Sequence, residues 1–412
     1  MKQSYYYLML QLANIIIGLF VTFYIARNVA PETFSLYAIS MIVSTIFVTF
    51  SFLGFESVLL RNLLYWKELG KNRKIVNYVS YAIFSRLFAS GVLFFPVSIY
   101  LLYLSATKYN GEHWLLFSFY MVSGSFSALN NANGLIFKAL NQYITSFTVT
   151  TLSSVCGRLV AAFFFAKYGF EAFIGVIVLI PIVSFFISVL FLKDYIDIKQ
   201  VRFKYFFKFR KLKYFIFSGY SNYFKTSVDQ VLVSIFLSSE ILAVYNLARR
   251  VEEIGRSFVA GFFEPITQRL IKYKGKIEHL ESQANKVFKI RNYSIIVICI
   301  LTIIFSLSSD IVIALLGLEN YEYLNVYIII SAWSSFLYIL YKVESHIICL
   351  FDEPKVILSI DVLVSLLSVT ISVLVFYFTS EEFVYLNRLI LGVVLLAIYA
   401  LYFKYKFKYF VK

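Results

Sequence analysis

The chain has 412 residues, 60% of them hydrophobic and 15% charged, with a formal net charge of +15. A water-soluble globular domain carries about 25% charged residues, so the composition excludes one and points to a lipid-embedded chain. The cations are spread between apolar runs, a pattern of membrane insertion and anionic lipid contact rather than of nucleic-acid binding.

In chain order, twelve apolar runs are long enough for the roughly 20 helical residues that cross a hydrocarbon core. Six lie near 6–25, 35–59, 78–104, 113–136, 144–166 and 172–192, and six near 214–237, 241–265, 292–314, 324–349, 356–378 and 384–403. The runs are continuous rather than alternating, which excludes a β-barrel. The second six repeat the first. Glu32, Tyr37, Val43, Ile46, Phe50, Phe55, Glu56 and Arg61 recur 208 residues later as Glu240, Tyr245, Val251, Ile254, Phe258, Phe263, Glu264 and Arg269. The expected architecture is all-α: a polytopic membrane protein with twelve transmembrane helices in two six-helix repeats. Residues 1–192 are expected to form the N-terminal lobe, 193–213 a cytoplasmic interlobe linker and 214–412 the C-terminal lobe.

The basic residues set the orientation. Of 38 Lys and Arg, 27 fall in the termini and even-numbered connections, whereas the odd-numbered connections hold only Arg27, Lys108 and Lys167. Both termini are therefore expected in the cytoplasm, and an even number of helices per repeat makes the repeats parallel. The linker mixes cations with Phe203, Tyr205, Phe206, Phe207 and Phe209, as an amphipathic segment on a bilayer surface does. The first apolar run is too long for a signal core and belongs to the repeat, so no cleavable signal is expected.

Little in the sequence suggests an enzyme or a cofactor. Phosphate-loop, zinc-site and Cys-x-x-Cys motifs are missing, and Cys156, Cys299 and Cys349 lie in separate runs, so neither a metal nor a cofactor is expected. His113, His279 and His346 are scattered, and a lone helical histidine is more often a packed residue than a ligand. Gly70-Lys71-Asn72-Arg73-Lys74 lacks the acid that the signature loop of major facilitator transporters carries. External connections are short, with no room for a catalytic base in a sizeable loop.

The chemistry lies in the charges inside the runs. Eight cations fall there: Arg86, Arg158, Lys225, Arg249, Arg250, Arg256, Lys342 and Arg388. Each central charge facing lipid costs about 2.5–3.5 kcal/mol, so eight would cost on the order of 20 kcal/mol. Most must face protein or water. Arg86 and Arg388 lie close enough to run ends to snorkel, whereas Arg158, Lys225, Arg249 and Arg250 lie nearer mid-depth. Lys225 and Asp229 are four apart, and Arg249, Glu252, Glu253 and Arg256 follow three- and four-residue spacing, so each set shares a helix face and can neutralise itself. Arg158 has no acid within four positions and needs a partner on another helix or on a ligand. The candidate substrate-binding cations are Arg158, Lys225, Arg249, Arg250, Arg86 and Arg256. Asp229 and Glu344 are the candidates for ion coupling, because a carboxylate in a low-dielectric cavity can load and release a proton. Glu56 and Glu264, duplicated and each five residues before an arginine, are expected to make gating or structural contacts between the halves, and Pro265 to permit a bend.

Ala30-Pro31-Glu32-Thr33-Phe34-Ser35-Leu36-Tyr37 resembles the Gly-Pro-Glu-x-(Phe/Tyr)-Gly-x-Tyr turn of polysaccharide exporters and O-antigen flippases, with Ala30 and Ser35 in place of the glycines. These belong to the superfamily of the multidrug and toxin extruders (MATE) and the peptidoglycan lipid flippase. Ser238 to Ala248 echoes the turn, Asp229 precedes it where the family often carries an Asp, and Pro265 with Arg269 matches its Pro-x-x-x-Arg helix ending. The resemblance implies a MATE-like two-lobe flippase in a bacterial inner membrane. Its substrate would be undecaprenyl-diphosphate-linked oligosaccharide, moved by alternating access and coupled to protons or Na+, with membrane lipids and a glycan polymerase as neighbours. A diphosphate bridging Arg158 with Arg249 or Arg250 is the expected binding mode. Alternatives are a drug or metabolite exporter of the same superfamily, with a more apolar pocket, and a membrane polymerase or acyltransferase of the same glycan pathway.

Overall fold

The computed structural model describes residues 2–53, 55–56, 66, 69–140, 142–197, 209–268, 270 and 277–407. Among them every long element is a helix. The first repeat holds α1 (Lys2–Arg27), α2 (Pro31–Phe50), α3 (Asn72–Lys108), α4 (Trp114–Ala139), α5 (Ser153–Tyr168) and α6 (Phe170–Leu192). A short turn, Tyr143–Ser146, and a π-helical stretch, Phe147–Leu152, lead into α5. The second repeat holds α7 (Phe209–Thr226), α8 (Val228–Phe236), α9 (Ser239–Gln268), α10 (Ile277–Leu307), α11 (Ser309–Leu316), α12 (Leu324–Phe351), α13 (Pro354–Phe378) and α14 (Leu386–Lys406).

Local sequence explains the punctuation. Pro31 and Pro354 occupy the first turns of α2 and α13, where a missing N–H costs nothing and φ is already helical. Gly169, at φ +83°, separates α5 from α6. Gly317 closes α11 in the left-handed region: its N–H reaches Ala314 O and that of Leu318 reaches Ile313 O, the pair of bonds of a Schellman cap. Pro96 lies inside the 37-residue α3 and removes one hydrogen bond of that helix.

Seven helical stretches of the described residues are long and apolar enough to span a bilayer, and Ala13–Arg27 is a shorter apolar one. Large apolar side chains on their outer faces, among them Phe95, Leu190, Leu307 and Leu401, are exposed, as lipid-facing residues are. The chain is an all-α, multi-pass membrane protein. The repeat is visible in the helix boundaries: α2 starts at Pro31 and α9 at Ser239, and α3 ends at Lys108 where α11 ends at Leu316, both 208 residues on.

Two compact units divide between Tyr223 and Phe224, inside α7. In Met1–Tyr223, α4 is the central helix and packs on α2, α3 and α6. Gly124 allows the close approach of α2, since a Cβ there would lie 2.7 Å from the Phe47 ring. In Phe224–Lys412 the equivalent helix, α12, is central and packs on α9, α10 and α14. Of the expected linker, residues 198–208 lie outside the described residues.

Candidate functional site: buried charge in each unit

In the second unit α7 stops at Thr226 and α8 restarts at Val228, with Ser227 between them at φ −141°. The break frees the Thr226 carbonyl, which accepts from Arg249 and, at 3.4 Å, from Arg388. Broken helices of this kind persist in membranes when guanidinium groups satisfy the loosened carbonyls. The break also removes the register that the spacing of Lys225 and Asp229 assumes, and these two do not pair. Lys225 Nζ instead lies 3.4 Å from Asp361 Oδ1 on α13 and 3.4 Å from Tyr399 OH on α14. The Tyr399 ring stacks on Tyr341 at 5.6 Å.

Asp229 belongs to a different cluster. Its Oδ2 accepts from Tyr245 OH at 2.5 Å and from Arg388 Nη1 at 3.2 Å. Arg388 also reaches Glu252, Nη2 to Oε1 at 2.9 Å and Nε to Oε2 at 3.1 Å, and is 1% exposed. Glu252 is the hub: it further accepts from Arg256, from Arg249 at 3.5 Å, from Tyr385 OH at 2.7 Å and from Ser334 Oγ at 3.0 Å. Arg250 and Glu253 form the outer edge at 2.9 Å, and Glu253 is also 3.6 Å from Arg249 Nε. Unbroken α9 thus keeps the spacing of Arg249, Glu252, Glu253 and Arg256 that the sequence implies. Asn387 adds bonds to Tyr245 OH at 3.2 Å and to Ser372 Oγ at 3.1 Å.

Glu344 on α12 pairs with Arg291 on α10. Asp229 Oδ1 and Glu344 Oε2 are buried without a hydrogen-bond partner. Glu264 and Pro265 lie within α9, and their side chains are outside the described residues.

In the first unit, Arg86 does not snorkel. Its Nε meets Glu56 Oε1 at 2.6 Å, its Nη1 meets Ser51 Oγ at 2.9 Å and the Val48 carbonyl, and its guanidinium sits 5.1 Å from the Phe52 ring. Glu56 therefore has its partner inside its own unit, where duplication suggested a contact between halves. Arg158 is half-buried on α5, its guanidinium lying directly over Gly18 of α1.

Sequence reasoning placed Arg388 near an interface and did not single out Asp361, Tyr385, Asn387 or Tyr399. Arg388 lies 136 residues from Glu252 and 159 from Asp229, so no local spacing carries that contact. Among the described residues no group of three metal-ligating side chains comes together.

The sequence matches the family described as polysaccharide biosynthesis protein over residues 1–269. No curated protein matches it. Solved structures share its fold. An inward-facing multidrug-resistance MATE transporter of the MOP superfamily superimposes with a TM-score of 0.68 at 15% identity, covering 94% of this chain and 93% of that one. A MOP superfamily transporter from Pyrococcus furiosus, described as having a binding pocket of reversed polarity, gives 0.66 at 14% identity over 99% and 95%. A MATE protein in the straight conformation gives 0.62 at 14% identity over 97% and 93%.

Proposed function

The chain belongs to the polysaccharide biosynthesis protein family, and we propose that it is a flippase for undecaprenyl-diphosphate-linked oligosaccharide, the repeat unit of O-antigen or a related surface polysaccharide. It works in the bacterial inner membrane by alternating access, with both termini cytoplasmic, and makes no covalent change to its substrate.

The observation that carries this reading is a concentration of guanidinium. Arg249, Arg250, Arg256 and Arg388 gather around Asp229, Glu252 and Glu253. A phosphate suits such paired planar donors. Arg249 and Arg388 are buried and hold the cluster together, whereas the side chains of Arg256 and Arg250 are 16% and 28% exposed. Arg250, Arg256 and Lys225 of the second unit are the proposed phosphate ligands, and Arg158 of the first unit is a separate candidate; Arg86 and Arg249 are scaffold. A drug exporter handling cations has no use for four gathered guanidinium groups.

Coupling is assigned to Asp229, with Glu344 as a second site. The unpartnered Oδ1 of Asp229 can take a proton. Protonation weakens its hold on Arg388 and leaves the cluster more positive, which ties proton entry to binding of the diphosphate. The partner released is Arg388 and not Lys225.

The test uses full-length protein in sealed vesicles containing a fluorescent lipid-linked oligosaccharide, with leaflet exposure read by an impermeant quencher. Wild type should speed exchange. Each of Arg250→Ala and Arg256→Ala should slow it about tenfold or more, as loss of a charge-assisted bond predicts, with Arg→Lys keeping part. Asp229→Asn should remove the dependence on a pH gradient. Normal exchange by both alanine variants, or extrusion of cationic dyes with no lipid exchange, overturns the reading.

A further inference from the structure

Lys342, one of the cations inside the apolar runs, meets Arg256 at an aromatic ring of the second unit. Arg256 Cζ and Lys342 Nζ each lie 5.4 Å from the centre of the Tyr338 ring, within the reach of a cation–π contact. Two cations held by one ring are no more than twice that distance apart. Their repulsion opposes the arrangement, and the electron-rich face of the ring offsets it.

Helix geometry explains the meeting. Ser334, Tyr338 and Lys342 follow at four-residue intervals along α12 and so share a face. Helix α9 comes close to α12 because Gly255 has no side chain: a Cβ there would lie 2.7 Å from Ser335 Oγ. At the same crossing Ser335 Oγ donates to the Glu252 carbonyl at 3.2 Å. Arg256, the next residue after Gly255, thereby reaches Ser334 and Tyr338 together.

The oxygen contacts of Arg256 do not fix its plane. Nη2 meets the Glu252 carboxylate and, at 3.3 Å, Ser334 Oγ. Nε is buried without a hydrogen-bond partner. Both contacts therefore hold the same nitrogen, about which the flat guanidinium can still turn, and the Tyr338 ring is the further contact that sets its orientation. The ring is itself propped. Tyr341 meets it edge-on at 5.5 Å and stacks on Tyr399 at 5.6 Å, and both supporting side chains are buried. The row so formed ends at the Tyr399 hydroxyl, 3.4 Å from Lys225 Nζ.

We propose that Tyr338 is a positioning residue: its ring, backed by Tyr341 and Tyr399, fixes the plane in which Arg256 presents its guanidinium to the substrate phosphate. The proposal rests on the reading of Arg256 as a phosphate ligand. A planar donor pairs with phosphate only when correctly oriented, so a guanidinium that swings keeps its charge and loses its paired bonds. Tyr338 acts through Arg256 and need not touch the substrate.

Exchange of the fluorescent lipid-linked oligosaccharide by full-length protein in sealed vesicles tests it. Tyr338→Leu should slow exchange about threefold, the factor that one partly exposed cation–π contact carries, and Tyr338→Phe should keep most of the rate. Phenylalanines bearing one, two and three ring fluorines at position 338 withdraw charge from the ring face with little change of shape, and exchange should fall with each fluorine. In an Arg256→Ala background the same series should be flat, because the ring has lost the group through which it acts. A rate that ignores the fluorines, or that falls with them as steeply in the Arg256→Ala background, overturns the proposal. Normal exchange by Arg256→Ala with the tyrosine intact counts instead against Arg256 as a ligand, and the proposal then falls with that reading rather than by its own series.

Discussion

The two repeats share a scaffold and use buried charge differently. In the first, one arginine meets one glutamate: Arg86 and Glu56 are closed off by a hydroxyl, a carbonyl and a ring. In the second, Arg388 bridges Asp229 and Glu252 while Glu252 holds two further arginines. In the 208-residue register the positions of Asp229, Arg249, Glu252, Arg256 and Arg388 are Val21, Met41, Ser44, Val48 and Ile180 in the first repeat. Duplication therefore accounts for the helices and not for the network. A structural ion pair is satisfied locally and can be removed whole, whereas in the interlocked cluster the pairs share members, so removing one pair takes a partner from another residue.

The largest effect should come from testing that distinction directly. Arg388→Ala takes a guanidinium from each of two buried carboxylates, Asp229 and Glu252, and Arg86→Ala takes one from Glu56; breaking a buried pair costs about 3–5 kcal/mol, so both should lower membrane abundance and thermal stability, Arg388→Ala the more. The double variants separate the two regions. Arg86→Leu with Glu56→Leu should return to within about 1 kcal/mol of wild type, because removing an isolated buried pair is often nearly neutral. Arg388→Leu with Glu252→Leu should not recover, since Asp229, Arg249 and Arg256 lose their shared partners. Equal recovery in both units, measured by detergent unfolding, would dissolve the contrast.

A smaller effect compares one repeated residue in its two settings. Tyr37 and Tyr245 are equivalent, and both rings are buried. Tyr37 packs edge-on against Phe34 and Phe173, whereas Tyr245 adds a bond to Asp229 at 2.5 Å. A hydrogen bond to a charged group contributes about 1.5–3 kcal/mol, so Tyr245→Phe should destabilise by that order and Tyr37→Phe by well under 1 kcal/mol. Matched losses at the two positions would show that the ring packing alone matters.

Much of this was legible in the sequence. The apolar runs and the repeat place the helices, since α2 and α9 begin where the shared Glu32 and Glu240 put them. The pairing along α9 was legible too, because an unbroken helix turns spacing into proximity. The Lys225–Asp229 pair was not: the break at Ser227 carries neither proline nor glycine, and it is held by guanidinium groups from α9 and α14 that only tertiary packing brings near. Arg388 escaped for the same reason. A charge near a helix end reads as snorkelling until the helices beside it are known, and its partners lie on α8 and α9.

The smallest effect lies at the turn between α12 and α13, where the second repeat carries Asp352 and the first Ile144. Tyr402 OH donates to Oδ2 at 2.5 Å, Lys406 Nζ to Oδ1 at 2.5 Å, and the Glu353 N–H to Oδ1 at 2.8 Å. Burial pushes the carboxyl up, but these bonds outweigh it and hold the group below the usual aspartate range. An acid whose pKa is depressed by folding stabilises the protein above its unfolded value of about 3.9, and that contribution disappears as pH falls through the lower folded value. Lys406 is 42% exposed, so water and salt screen the attraction and the net effect should be small. At pH 7, Asp352→Asn should unfold slightly earlier than wild type. The two should converge on acidification below about pH 4, where the wild-type carboxyl becomes protonated, and salt should narrow the neutral-pH gap. A gap that stays constant from pH 7 to pH 3 would mean that the side chain acts through shape and not through charge.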